Sequence, residues 1–394
     1  MKISIPKNRF LKNQSLSFFN SKFSWNEEIE SSYVLGDKKH RNSIDPIFEL
    51  LSIDFPELIS PEVVKAFNQL GVSEEYLPID VIQSSSQMIE KIKNAFFESE
   101  KALNELKHLG YLDTFIECNK TLKSLQRAQI DEILLRRALK FKKIKNASVA
   151  SGFFPQRDGY LSLPNYSITK TLTGRMTITG GPQILTAPKL IRSFLKSSFK
   201  GGKIAQVDFV SLEPRVAAQL SGKLEESDVY EFLGQKLFDS KISRSIIKKL
   251  VLCSVYGASE ATLKRDLPEG INVKNLIQKT KNELNYEMVV NSQMKNYQNS
   301  GKINNFFGRS VSPQSSRPSL IYNNYIQSTA VDVSLLGFGQ IIKKSPSRMR
   351  PIFFIHDAML VDLHPEDIEN FKEIAKSIFI DGLGKFPLEF QFVE

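Results

Sequence analysis

Asp208-Phe209-Val210-Ser211-Leu212-Glu213-Pro214-Arg215 is the stretch on which the fold turns. It completes the run Ile204-Ala205-Gln206-Val207, so a dense apolar segment ends in an acid. That run predicts a buried strand over 204–210. Pro214 predicts a helix beginning at its own position and running to 220–221, because a proline at the first helical residue gives up an N–H that has no partner there. Asp208 is therefore expected near a strand end, facing a turn.

The same pattern recurs late in the chain. Residues 351–355 contain Phe353, Phe354 and Ile355, then His356-Asp357, then a second apolar run over 358–363. This reads as a tight hairpin with Asp357 at its tip. An amphipathic helix is predicted over 365–380, with Ile368, Phe371, Ala375 and Ile378 on its apolar side. One aspartate at a strand end is commonly a turn former or a helix cap. Two acids, each ending an apolar strand, carry more, because a buried carboxylate is costly unless it is paired or bound to a cation. On adjacent strands they would suit Mg²⁺, which takes oxygen ligands and leaves positions open for substrate phosphates.

Between the two acids, Arg244, Lys248, Leu252 and Tyr256 recur at every fourth position. On an α-helix they drift by about 40° per step and share one face, and Gly257 offers a stop. Such a face could hold a triphosphate at its cationic end and a base at its aromatic end. Alone, the segment reads more simply as a half-exposed helix.

The 394 residues correspond to two or three domains at roughly 150 residues each. Lys and Arg number 53 against 43 Asp and Glu, a net +10 that favours a polyanionic partner. Two cysteines, Cys118 and Cys253, form no disulfide framework and no zinc spacing. No apolar run reaches the roughly 18 residues that span a bilayer, and the opening residues lack a secretory pattern, so an unsecreted protein without membrane partners is expected. No periodicity emerges over residues 1–83. Helical patterning predominates over 87–145, with Ile89, Ile92, Ala95 and Phe96 on one face. Ile130, Ile133, Leu134, Ala138 and Phe141 form a second, among Arg136, Arg137, Lys140, Lys142 and Lys143. These basic helices could straddle a duplex backbone or simply be solvated.

The ordered set of motifs resembles family A, the bacterial polymerase I-like DNA polymerases. The segment Asp208 to Arg215 resembles that family's first motif, Asp-Tyr-Ser-Gln-Ile-Glu-Leu-Arg. Arg244-x3-Lys248-x7-Tyr256-Gly257 resembles its fingers helix, and Ile355-His356-Asp357 its Val-His-Asp hairpin. Thr173-Gly174-Arg175 with Pro182, Gln183, Arg192 and Phe194, then Phe307-Gly308-Arg309 with Pro313, then Asn323-x3-Gln327-x-Thr329-Ala330-x-Asp332 are similar to three further family segments, in order. The likeness runs over 151–394.

The resemblance implies an α+β, right-hand polymerase with an antiparallel-sheet palm, helical fingers and a helical thumb. Its expected divisions are an unassigned region over 1–84, thumb over 85–150, palm over 151–224 and 321–394, and fingers over 225–320. It implies two Mg²⁺ ions held by Asp208, Asp357 and the backbone carbonyl of Phe209. Arg244 and Lys248 would clamp the incoming triphosphate and Tyr256 would pack near the templating position. Glu213 would be the steric gate against a ribose 2′ hydroxyl. Arg175, Asn323, Gln327 and His356 would contact primer-template DNA near its terminus. Deoxynucleoside triphosphates and primer-template DNA are the implied partners, with a separate exonuclease or processivity factor. The implied location is cytoplasmic and nucleoid-associated, in a bacterial or phage-infected cell.

Departures mark a divergent member of phage type. Leu252 stands where the fingers helix usually has an aromatic, and Ala358 where an acid usually follows the hairpin aspartate. Ser211, Pro214, Cys253 and Ser328 replace Gln, Leu, Gly and Gly of the pattern. No Asp-x-Glu occurs in the first 150 residues, so no proofreading domain is expected. Two alternatives stand beside the polymerase reading. A single-subunit RNA polymerase shares several motifs but carries a small residue at the position of Glu213. A catalytically silent DNA-binding protein on the same fold has no physical need to keep Asp208, Asp357, Arg244 and Lys248.

Overall fold

The structure, a computed structural model, describes residues 1–28, 33–74, 77–141, 143, 147–220, 228–238, 242–256, 263–265, 267 and 272–393. The chain divides into two compact units, Met1–Lys123 and Ser124–Glu394.

The first unit carries a four-stranded sheet of β1 (Ile3–Ile5), β2 (Ser15–Phe19), β3 (Lys22–Asn26) and β4 (Tyr33–Val34), in the order β3-β2-β1-β4. The strands are two to five residues long, too short for a period to be counted, which is why this region gave no sequence signal. Ser4 and Ser17 face each other across β1 and β2 and share a buried hydrogen bond of 2.7 Å. Helices α1 (Asp45–Leu51), α2 (Pro61–Gln69), α3 (Ile79–Ile82), α4 (Ser85–His108) and α5 (Leu112–Leu122) follow. Ser84 caps α4 by accepting from the Gln87 N–H. Ile92, Ala95 and Phe96 are buried as their periodicity predicts, and Phe96 stacks on Phe18 of the sheet. Ile89, one turn earlier, is 49% exposed.

The expected thumb segment 85–150 spans the division between units, since α4 and α5 belong to the first. The second unit begins with β5 (Gln129–Ile130), α6 (Glu132–Lys140) and α7 (Ala147–Ser151). Helix α6 buries Leu135 and Ala138, while Ile133, Leu134 and Phe141 of the expected apolar face are exposed. Arg127 is not a free cation: its guanidinium grips Asp158 through both terminal nitrogens and also donates to Gln156 and the Leu161 carbonyl, stapling a loop. Lys142 lies outside the described residues.

Next come β6 (Asn165–Ser167), β7 (Thr177–Gly180), α8 (Lys189–Arg192), β8 (Leu195–Lys196) and β9 (Lys203–Phe209). They lead into α9 (Leu212–Gln219), α10 (Val229–Leu237), α11 (Arg244–Tyr256), α12 (Val273–Glu283) and α13 (Tyr286–Ser300). The chain continues with β10 (Ile303–Asn304), β11 (Ser310–Val311) and α14 (Pro318–Lys344). It ends with β12 (Arg350–Ile355), β13 (Ala358–Leu363), α15 (Ile368–Ile374), β14 (Ser377–Ile380) and β15 (Gly384–Phe392). The class is mixed α+β.

The core of this unit is a five-stranded sheet, β12-β13-β9-β15-β14, antiparallel throughout. Val207, Phe353, Phe354, Leu360 and Val361 are buried in it. Helix α14 packs on the sheet at Gly337, where a Cβ would press into the Phe209 ring and Ile378. Two sequence expectations need correction. Helix α9 starts at Leu212, so Pro214 is its third residue, a position that still lacks an intrahelical acceptor for an N–H. The predicted helix over 365–380 stops at Ile374, because Ser377–Ile380 pairs with β15 and takes Ile378 into the sheet. Among the described residues no helix is long and apolar enough to cross a membrane.

Candidate active site

Strand β9 delivers Asp208 to the end of the sheet, and the β12–β13 hairpin delivers Asp357 beside it. The Phe209 N–H donates to the Asp357 carbonyl at 3.1 Å, and the Val210 N–H donates to the Pro387 carbonyl at 3.1 Å. Asp208 lies in register with Ala358 on one neighbouring strand and Glu389 on the other. The hairpin turn is tight enough to hold His356 at a φ of 55°, a left-handed conformation that a non-glycine residue keeps only when its surroundings enforce it.

These elements border a cavity of about 420 Å³ whose wall includes Phe209, Asp357, His356, Glu213, Arg244 and Lys248. Partial burial first, and the neighbouring Asp357 second, push the Asp208 carboxyl up to about 6. Glu389 acts in the same direction, while a hydrogen bond from Gln206 opposes it. Such a carboxylate favours a cation beside it, and an oxygen-only donor set suits a hard divalent ion with several open positions. Among the described residues no group of three or more His, Cys, Asp or Glu could hold a metal ion. His356 is shifted down by burial and by the Arg175 charge.

Helix α9 places Glu213 in its first turn, after Ser211 enters at a φ of 54°. Burial raises the Glu213 carboxyl, opposed by Arg175, whose Nη2 donates to it at 3.3 Å. Gln327, on α14, also hydrogen-bonds Glu213 and accepts from the Thr173 hydroxyl at 2.9 Å. Arg175, Gln327 and Glu213 thus form one polar edge of the cavity.

Helix α11 brings Arg244 and Lys248 to the same cavity, as their four-residue spacing predicts. Arg244 is already engaged: Nη2 lies 3.1 Å from the Asp228 carboxylate and 3.4 Å from the Ser211 hydroxyl, and its guanidinium sits 4.7 Å from the Tyr230 ring centroid. The Asp228 contact holds its pKa above the ordinary arginine value. Leu252 is 42% exposed on the same helix and is not among the cavity-lining residues. The Tyr256 side chain and Gly257 lie outside the described residues.

Gly174, of Thr173-Gly174-Arg175, has a φ of 76° and leaves no room for a Cβ, because the Arg309 guanidinium fills that space. Arg309 is fully buried, paired with the buried Asp332 at 3.2 Å, and donates to the Ile168 carbonyl at 3.0 Å. Asn305 completes the cluster by donating to Asp332 at 2.7 Å. The Gly, Arg and Asp of three separate motifs therefore serve one structural joint behind the site. Asn323 lies one turn before Gln327 on α14 and does not line the cavity; its Oδ1 is buried without a hydrogen-bond partner among the described residues.

Sequence reasoning missed Asp228, Tyr230 and Glu389. Asp228 is recognisable afterwards as the cap of α10, accepting from the Tyr230 and Glu231 N–H groups. Glu389 sits in alternating sequence, Leu388-Glu389-Phe390-Gln391-Phe392, that marks a strand but not its neighbour.

The family model for DNA polymerase family A matches residues 80–391. No curated protein matches the chain. Among solved structures, the polymerase domain of Pol1 from M. smegmatis, in complex with DNA primer-template and dNTP, is 15% identical with a TM-score of 0.48. The match covers 88% of this chain and 62% of that one, so the chain spans less than two thirds of that neighbour's length. With the family model covering most of its length, the chain belongs to DNA polymerase family A.

Proposed function

We propose that this protein is a template-directed DNA polymerase that adds deoxynucleotides to a primer 3′ end by two-metal phosphoryl transfer, without 3′–5′ proofreading of its own. The observation that carries the reading is the convergence of Asp208 and Asp357 at the sheet end, with Asp357, Arg244 and Lys248 lining one cavity. Acids and cations around one cavity match the charges of a metal-bound nucleoside triphosphate approaching a primer terminus.

Members of the family generally use divalent metals. Two Mg²⁺ ions held by Asp208, Asp357 and the Phe209 carbonyl would supply Lewis-acid activation of the 3′ hydroxyl and neutralise the leaving pyrophosphate. The protein's own groups do the rest. Arg244 and Lys248 orient the triphosphate in line with the primer oxygen. Glu213, braced by Arg175 and Gln327, crowds the place of a ribose 2′ hydroxyl. Arg175, Gln327, His356 and Asn323 are assigned to the primer-template, whose minor-groove acceptors are shared by all base pairs. Tyr256, whose side chain lies outside the described residues, is assigned to the templating position by its place in the fingers motif. A separate exonuclease or processivity factor accompanies the enzyme, which works on DNA in the cytoplasm, at the nucleoid.

Primer extension with Mg²⁺, comparing deoxynucleotides with ribonucleotides, tests the reading. Extension with a strong deoxy preference is expected. Equal use of both sugars would favour an RNA-synthesising enzyme, and no extension would favour a silent DNA-binding protein.

A further inference from the structure

We infer that the first unit docks a cationic amphipathic helix of a partner protein, in a groove formed by residues 53–57, α2, α3 and one face of α4. The inference is independent of the polymerase reading.

The groove is a cavity of about 780 Å³ whose lining comes from the first unit alone. Its apolar lining is supplied by Ile53 and Phe55, which are 37% and 36% exposed, with Val63 of α2 and Ile82 of α3, both half-buried. Helix α4 adds only polar groups, Gln87, Glu90, Lys91, Asn94 and Glu98, whose spacing sets them on one face. A second cavity, of about 640 Å³, shares Phe55 and Glu57 with the first and is lined along α2 as far as Gln69.

Helix α2 shows that this region lacks a cover. An isolated helix shorter than about 12–15 residues is marginal in water and owes most of its stability to an apolar face packed against something else. Val63, Phe67 and Leu70 form such a stripe on α2 and its C-cap, spaced by four and three residues. None of the nine helical residues is buried, however, and Leu70 is 77% exposed. A partner that fills the groove beside α2 supplies the missing packing.

Charge selects the partner. The larger cavity carries Asp54, Glu57, Glu90 and Glu98 against Lys91 alone. Lys91 lies 3.9 Å from Glu57 and Lys101 lies 3.8 Å from Glu98, both at exposed positions where ion pairs are weak. Asp54 and Glu90 have no ion pair among the described residues. The first unit as a whole holds 15 Lys and Arg against 18 Asp and Glu, while the rest of the chain holds 38 against 25. Nucleic acid is therefore repelled here and drawn to the second unit. Apolar and acidic groups in one groove match a helix that carries an apolar stripe flanked by Lys or Arg.

The test is titration of the full-length protein, without DNA, into a fluorescently labelled peptide of leucine and lysine. The peptide has about 18 residues, five helical turns, with leucine at every third and fourth position. Saturable binding is expected, and a scrambled peptide of the same composition or one with glutamate for lysine should bind at least about tenfold more weakly. Glu90→Lys combined with Glu98→Lys removes two attractions and adds two repulsions, each on the scale of an exposed ion pair, and should weaken binding by about tenfold. Ile53→Ser, which removes apolar lining and no charge, should weaken it severalfold, and Glu369→Lys, at an exposed acid of the second unit, should not. Urea unfolding of each variant should match the wild type, separating lost docking from lost folding. Failure to bind the patterned peptide, equal binding of the scrambled one, or wild-type affinity in both groove variants would overturn the inference and leave the polymerase reading untouched. Sedimentation of the wild type as a dimer that Glu90→Lys with Glu98→Lys dissociates would place a second copy in the groove and overturn it as well.

Discussion

Arg244 and Asp228 meet at 3.1 Å, one on the first residue of α11 and the other on the residue that caps α10. The contact joins two helices beside the cavity that Arg244 lines, and it occupies the guanidinium that the proposed mechanism assigns to a triphosphate. Asp228 must release Arg244 when nucleotide binds. An ion pair this exposed is worth about 0.2–1 kcal/mol, which bounds the competition at roughly fivefold in affinity. Asp228→Asn keeps a capping oxygen and removes the charge, so KM for the incoming deoxynucleotide is expected to fall by up to about fivefold with stability little changed. An unchanged or higher KM in single-nucleotide incorporation would mean that Asp228 positions Arg244 and does not compete for it.

Sugar selection should depend on Glu213 and on what braces it. Removing a side chain that excludes one hydroxyl-sized group typically changes discrimination by roughly 10–100-fold. Glu213→Ala is expected to raise ribonucleotide use by that order, read as the ratio of kcat/KM for the two sugars. Arg175→Ala should move the same ratio less, because Gln327 still holds the carboxylate. Constant ratios in both variants would remove Glu213 from the gate.

Gly174 should be intolerant of any side chain. Alanine there must adopt a φ near 76° and displace a guanidinium buried against Asp332. Disturbing one partner of a buried pair costs about 3–5 kcal/mol. Gly174→Ala is expected to lower the unfolding free energy of the second unit, read from its urea midpoint and slope, by an amount of that order, and a loss below about 1 kcal/mol would show that Arg309 has another place to go.

In the first unit, burial pushes the Asp45 carboxyl up to about 7, against a hydrogen bond from the Gly36 N–H at 2.8 Å and the charges of Lys38 and Arg9. The folded state therefore holds a proton that the unfolded chain gives up near 3.8, and stability falls as pH rises from about 4 to about 7. Asp45→Asn mimics the protonated form. It should stabilise this unit by about 2–4 kcal/mol above pH 7 and change little below pH 4. Fluorescence of Trp25, the chain's single tryptophan, reports the unfolding. A gain independent of pH would remove the linkage from Asp45.

The legible parts of this fold are those whose signal is local. The run ending at Asp208 and the hairpin around Asp357 are each a long apolar segment closed by a turn, and both stand as read. Arg244 and Lys248 share a wall because helical spacing is also local. What escaped depends on neighbours in space. Ile378 fits a helical stripe, but pairing with β15 claims it for a strand. Glu389 is one acid in an alternating run until the register sets it opposite Asp208. Arg127 counts toward the chain's positive charge but is consumed by Asp158. The sheet of the first unit is built from strands too short to announce a period.

The central claim is that Asp208 and Asp357, brought together by β9 and the β12–β13 turn, form the catalytic centre. Single-turnover primer extension by Asp208→Asn and by Asp357→Asn, with primer-template affinity measured by fluorescence anisotropy on the same preparations, tests it most directly. The account expects each variant to bind primer-template within about threefold of the wild type and to extend it at least about a thousandfold more slowly, since backbone grip and cation-dependent chemistry are separate contributions. A variant that keeps more than about a tenth of the wild-type rate, or one that loses rate only in proportion to DNA affinity, would contradict it.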